Sequence, residues 1–204
     1  MSKLVDRLDR VSRGVTRSLG FSIQTKQEPI PTLVLVASLE GVSKKEIGAI
    51  AKTKPDAVVI SSSALGTDDL ESHLKPLDGS IWGVTVDHPD RDILQKYRDT
   101  KCDFIVFGIE GMRVDFLGDD ACARVLRVPA NLEEYELRGL EDLPIDIVIL
   151  HVEGATDSLT LRHILSISNV RSATGRYMLL EWGGELSTTE LEHLREIGVD
   201  GIVI

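Results

Sequence analysis

Aromatic side chains make up only 4% of this 204-residue chain, and the few present do not interleave with a basic stripe. That pattern disfavours binding of nucleic acid through stacked bases in a cationic groove, and a net charge of −10 at pH 7 opposes phosphate backbones as well. No apolar run approaches the roughly 20 residues of a membrane span, and the first residues lack the apolar core of a signal peptide. The leading segment carries Lys3, Arg7, Arg10, Arg13 and Arg17, as a helix lying on a membrane surface would. Asp6 and Asp9 interrupt that charge, however, and interfacial aromatics are missing. Cysteine is scarce too. Cys102 and Cys122 flank apolar runs and read as small buried hydrophobes, which makes a reducing cytoplasm the expected location. With seven prolines and no low-complexity tract, nothing divides the chain, and a hydrophobic content of 42% suffices for one core.

What is abundant is repetition. Lys54 to Ile60, Lys101 to Phe107, Pro144 to Leu150 and Gly198 to Ile204 each present an Asp followed by a run of Val, Ile, Leu or Phe. The repeated aspartates are Asp56, Asp103, Asp146 and Asp200. Between these units lie four more apolar runs, Thr32 to Ala37, Ile81 to Val86, Arg124 to Val128 and Tyr177 to Trp182. Near-continuous apolar runs are the mark of parallel strands buried on both faces. Helical patterns fill most of the gaps: Ser43 to Thr53, Asp68 to Leu77, Pro89 to Thr100, Leu132 to Leu143, Ser158 to Ala173 and Thr188 to Ile197. Ser43 with Glu46 and Ser187 with Glu190 have capping-box spacing, and Asp90 and Asp92 put negative charge in a first turn. Gly111 to Ala121, with Gly118 inside it, is a poorer helix. Eight strands alternating with helices predict a compact (β/α)8 barrel of TIM type.

Such a barrel typically needs roughly 250 residues, so the connections must be lean. The sequence ends on the eighth strand, without a helix after it. Leu4, Leu8, Val11, Val15 and Leu19 form an apolar stripe at helical spacing in residues 1–20, and this extra helix is expected to cover the outer faces of strands eight and one. Two other readings stay open: the helix pairs with a second subunit in a homodimer, or the barrel's own last helix lies beyond this sequence. Residues 21–31 connect the helix to the barrel domain, residues 32–204.

In this fold the reacting groups sit where strands end. The repeated aspartates precede their strands and are expected at the opposite, bottom face, in structural turns. At the strand ends stand Ser38 to Glu40, Ser61 to Ser63, Asp87, His88, Gly108 to Glu110, Arg127, His151, Glu153 and Glu181 to Gly184. Lysine is absent from this set, which disfavours Schiff-base chemistry; no cysteine and no nucleophile elbow offers covalent catalysis. Odd strands carry Asp87, Arg127 and Glu181. One reading is a structural ion-pair cluster, because a buried guanidinium requires carboxylate partners. The other is a clamp in which Arg127 holds an anionic substrate while Asp87 or Glu181 moves a proton. His151 and Glu153 share a strand face and, with the nearby acids, offer mixed ligands for a divalent metal, against the plainer reading of a solvated histidine. His73, His163 and His193 fall within helical patterns as surface or packing residues.

Residues Met178 to Ile204, with Glu181-Trp182-Gly183-Gly184 and Gly198-Val199-Asp200-Gly201, resemble the seventh and eighth strand units of the phosphate-binding, aldolase-type TIM barrels. That broad group includes indole-glycerol-phosphate synthase, phosphoribosyl isomerases and thiamine-phosphate synthase. The resemblance implies that Gly183 and Gly184 give backbone N–H groups to phosphate, an approach that glycine permits. It departs from the pattern at Glu185, an unfavourable neighbour for phosphate, and at the second phosphate loop, which would follow Ile204. Isomerase or lyase chemistry on a small phosphorylated or carboxylate metabolite is then expected, with Asp87, Glu181 and His151 as catalytic residues and Arg127, Gly183 and Gly184 as binding residues. A non-catalytic barrel that binds a metabolite or a protein partner is the alternative. Related barrels also hold flavin phosphate in these loops; the sequence itself names no cofactor and no metal.

Overall fold

The computed structural model describes residues 2–13, 33–40, 44–64, 74–88, 91–110, 112–117, 121–154 and 158–204. Eight parallel strands form a closed barrel in sequence order: β1 (Val34–Leu39), β2 (Ala57–Ser61), β3 (Trp82–Val86), β4 (Phe104–Gly108), β5 (Ala123–Pro129), β6 (Ile147–His151), β7 (Tyr177–Glu181) and β8 (Gly201–Val203). The sheet closes where Val34 and Val36 of β1 stand beside Gly201 and Val203 of β8. The α-helices among the described residues are α1 (Lys3–Arg13), α2 (Lys44–Thr53), α3 (Arg91–Asp99), α4 (Glu134–Gly139), α5 (Leu161–Ala173) and α6 (Thr188–Glu196). Among its described residues, the crossover after β4 carries a 3-10 turn at Val114–Phe116. Of the expected helix at 68–77, only its end is described, a 3-10 turn at Lys75–Leu77. Val15, Leu19, the 21–31 connection, Ser43, His73, Asp90 and Gly118 lie outside the described residues.

Strand alternation splits the apolar residues into two layers. Outward residues such as Ile60, Val84, Leu126, Leu150 and Leu180 pack beneath the helices with Ile47, Leu94, Ile167 and Leu194. Inward residues, among them Val36, Val59, Val106, Val125, Ile149 and Leu179, fill the barrel. Gly83 and Gly201 have a steric reason to lack a side chain. A Cβ on Gly83 would lie 2.4 Å from the Phe104 ring, and one on Gly201 would lie 2.5 Å from the carbonyl oxygen of Val34. The bulk of Phe104 is thus accommodated by the void its neighbour leaves.

The repeat turns helix into strand. Two residues before the aspartate, Lys54, Lys101 and Gly198 have φ of 53°, 62° and 92°, the left-handed conformation that ends a helix, and the third unit has Pro144 there instead. The aspartate then ties adjacent strands together. Asp56, Asp146 and Asp200 accept hydrogen bonds from the backbone N–H groups of Leu35, Arg124 and Met178 at 2.8–2.9 Å. Each also faces a cation: Arg7 at 2.7 Å from Asp56, Arg124 at 3.3 Å from Asp146, and Arg171 at 3.9 Å from Asp200. The bottom-face role read from the sequence is therefore what the hydrogen bonds show.

Helix α1 docks on its own barrel, but not on the outside. Leu4, Leu8 and Val11 are buried in one cluster with the inward residues of β1, β2, β4, β5, β6, β7 and β8. The helix closes the bottom of the barrel. Asp103 accepts from the Ser2 hydroxyl and from the N–H groups of Lys3 and Leu4, Asp56 accepts from Arg7, and Asp9 accepts from the Tyr177 hydroxyl. These partners come from three sides of the opening. The expected cover over strands eight and one is thus corrected: Leu35 keeps 41% of its surface exposed and Ile204 57%. The sequence shows an amphipathic stripe, but an apolar outer sheet face and the apolar end of a barrel interior attract such a stripe equally, since the hydrophobic effect has no direction.

Candidate functional site

At the opposite end the inward phase of the strands continues into polar residues. Arg127 is two residues beyond Val125, Glu181 two beyond Leu179 and His151 two beyond Ile149, so each inherits an inward direction from an apolar residue below it. Register sets them side by side, with His151 opposite Glu181 on β7. Arg127 grips Glu181 through two hydrogen bonds of 2.7 Å, from Nε and Nη2, the planar fork that guanidinium and carboxylate form best. Glu181 holds the Arg127 guanidinium above its ordinary pKa against partial desolvation, with smaller contributions from Glu40 and Asp87. Nη2 of Arg127 also lies 3.1 Å from Nδ1 of His151. Oε1 of Glu181, an acceptor, lies 3.3 Å from the same nitrogen, so Nδ1 stands between a donor and an acceptor and the ring can meet either one. These side chains remain partly solvated, with 42% of Arg127, 29% of Glu181 and 39% of His151 exposed.

Two cavities open beside this cluster. The inner one, about 310 Å³, rests on Val59, Val106, Ile149 and Val203, and its wall includes the hydroxyls of Ser38, Ser61, Ser63 and Thr85 with the charged groups of Glu40, Asp87, Arg127 and Glu181. Ser61 and Ser63 share a hydrogen bond of 2.8 Å. The outer cavity, about 550 Å³, extends over β3 to β5 and is lined in part by Asp87, Glu110, Asn131 and Glu136. Asp87 and Arg127 belong to both linings. Thr85, Asn131 and Glu136 were not singled out from the sequence. Thr85 was within reach, since it lies between Gly83 and Asp87 in the same two-residue phase; Asn131 and Glu136 lie past β5, where no such phase applies.

The structure thus brings Arg127, Glu181 and His151 into contact and puts Asp87 in the same cavity as the first two. His151 is absent from both cavity linings. Gly183 and Gly184 follow β7 and precede the Ser187 cap of α6, and they also stand outside both linings. Among the described residues no group of three or more His, Cys, Asp or Glu side chains is disposed to hold a metal ion. His163 packs edge-on against the buried Trp182, and His193 meets Glu196 on α6. No helix among the described residues is long and apolar enough to cross a membrane.

Solved structures with the same architecture decide the fold. A tryptophan synthase structure from Mycobacterium tuberculosis superposes with a TM-score of 0.65 at 12% identity, over 84% of this chain and 82% of that one. The fold is a (β/α)8 barrel. The YdjI aldolase of Escherichia coli K12 gives 0.57 at 11% identity, over 84% and 75% of the two chains. A HpcH/HpaI aldolase/citrate lyase family protein from Burkholderia cenocepacia gives 0.60 at 14%, over 84% and 87%. No family model matches the sequence, and no curated protein matches it. At such identities the neighbours establish architecture alone.

Proposed function

We propose that this barrel is a small-molecule enzyme of isomerase or lyase type, with its reaction centre in the inner cavity and Asp87 as the proton-transferring base. The observation that carries this reading is the position of Asp87: its carboxylate lines both cavities, beside a charged pair whose geometry is already fixed. General-base catalysis needs a carboxylate within reach of a bound molecule, and the C-terminal ends of barrel strands are where such enzymes place it. Glu181 orients Arg127, and both side chains hold His151 through its Nδ1. An aldolase and an aldolase/citrate lyase family protein among the structural neighbours support the lyase side of this reading. Phosphate capture at Gly183 and Gly184 is the weaker part of the sequence expectation, since neither lines these cavities and Glu185 follows directly. The carboxylate-rich linings fit the phosphate of a flavin equally poorly.

The test is exchange of carbon-bound protons. The protein is incubated in D2O with a panel of small oxo, hydroxy and amino compounds, and NMR follows deuterium uptake in parent and Asp87→Asn. Exchange catalysed by the parent and lost in the variant upholds the reading; no exchange, or equal exchange in both, sinks it. One observation favours the non-catalytic alternative. Arg127 and Glu181 satisfy each other in a two-bonded pair, as a structural closure of the barrel top would.

A further inference from the structure

The charge balance of the mouth speaks to what it admits. Among the described residues lining the two cavities, the carboxylates are Glu40, Asp87, Glu110, Glu136 and Glu181, against the single guanidinium of Arg127. Glu181 takes the Nε and Nη2 sides of that guanidinium and offsets its charge, which leaves Nη1 outside the pair. An incoming carboxylate or phosphate would find only Nη1 of a guanidinium whose charge Glu181 already offsets, while facing Glu40 and Asp87, both close enough to act on Arg127 electrostatically. An ammonium group meets the opposite situation. Its three donors suit carboxylate oxygens and the hydroxyls of Ser38, Ser61 and Thr85 in the inner wall, and its carbon chain suits the floor of Val59, Val106, Ile149 and Val203. A mouth of one charge sign also concentrates ligands of the other before they bind.

We infer that the ligand of the inner cavity carries a cationic amine rather than an anionic group, with Glu40 and Asp87 as its countercharges. This rests on the proposed site at the top of the barrel and departs from the anionic metabolite expected from sequence. Calorimetry at low salt with three probes of one length tests it: butane-1,4-diamine, butane-1,4-diol and succinate. The diamine should bind at least about tenfold more tightly than succinate, a difference of roughly 1.4 kcal/mol. Glu40→Gln, checked for unchanged melting, should weaken the diamine about tenfold, and added salt should weaken it as well. Succinate binding as tightly as the diamine, no diamine binding, or full affinity in Glu40→Gln overturns the inference. The two readings fail separately. Diamine binding that Glu40→Gln weakens, without deuterium exchange on any compound, removes the proton-transfer function and leaves the amine site standing, whereas exchange confined to anionic compounds does the reverse.

Discussion

The two ends of this barrel use the same side chain for opposite purposes. At the bottom, Asp56, Asp103, Asp146 and Asp200 each receive at least one backbone N–H, so their charge is spent on tying strands or capping α1. At the top, Asp87 and Glu40 line a cavity, and Glu181 beside them is satisfied by a side chain, Arg127. A carboxylate bound by backbone donors is fixed in place and has little left to offer a ligand; one that faces a cavity keeps its lone pairs available. The sign of the charge is thus uninformative here. What distinguishes structure from chemistry is who supplies the hydrogen bonds.

That contrast can be broken by mutation. The largest loss should come from Leu8→Ala, which empties a fully buried position where α1 seals the barrel and should cost about 2–5 kcal/mol in chemical denaturation. A loss below 0.5 kcal/mol, within the ordinary scatter of surface changes, would show that the seal is not structural. Gly83→Ala places a methyl group against the Phe104 ring and should cost about 1–3 kcal/mol, with partial recovery when Phe104→Leu is added. Asp103→Ala removes the acceptor of the Ser2, Lys3 and Leu4 hydrogen bonds and should cost about 0.5–2 kcal/mol while leaving any ligand affinity at the top unchanged. Altered affinity at unaltered stability would place Asp103 in a site after all.

The smaller effects sharpen the comparison. Glu190 is bound like the bottom aspartates, and its carboxyl sits below the ordinary value of 4.5, held there first by the Ser187 hydroxyl and then by the N–H groups of Ser187 and Leu159. A depressed folded-state pKa means that the folded protein binds this proton less tightly than the unfolded chain does. The stability it contributes is therefore full above about pH 4.5 and lost as pH falls through the lower folded value. Glu190→Gln should flatten that part of the acid denaturation profile, and an unchanged profile would refute the coupling. Asp87→Asn should leave stability within about 0.5 kcal/mol of the parent, as expected of a carboxylate with no hydrogen-bonding partner among the described residues; a larger loss would move Asp87 to the structural class.

Local signals were legible in the sequence wherever one interaction dominated. The strands follow from apolar runs buried on both faces, and the start of α6 follows from the reciprocal cap of Ser187 and Glu190. The repeat located the bottom face, because a left-handed or proline residue followed two positions later by Asp is a local device. The place of α1 was not legible, since its stripe fixes which face is buried and leaves the partner open. The inner strand phase could have added Thr85 to the site. Asn131 and Glu136 could not have been found, since they enter the outer cavity through the path of the chain after β5, which no periodicity encodes. The grip of Arg127 on Glu181 was foreseeable as a pair and not as a geometry: sequence gives the charges, and only the strand register makes the fork two-bonded.

The cap of α1 sets an order of assembly. Ser2 and the N–H groups of Lys3 and Leu4 find their acceptor in Asp103, 99 to 101 positions further along the chain. This helix is therefore capped only after the 99 to 101 residues that follow it have been made. Contacts of such separation carry a large loop-closure cost and form slowly. Until β4 is in place, Leu4, Leu8 and Val11 lack part of the apolar cluster that buries them in the finished barrel. At synthesis rates of roughly 5–20 residues per second, that interval lasts several seconds. Seating of this plug is then a late event in folding, and a tag or fusion placed ahead of Ser2 should slow it more than one placed after Ile204.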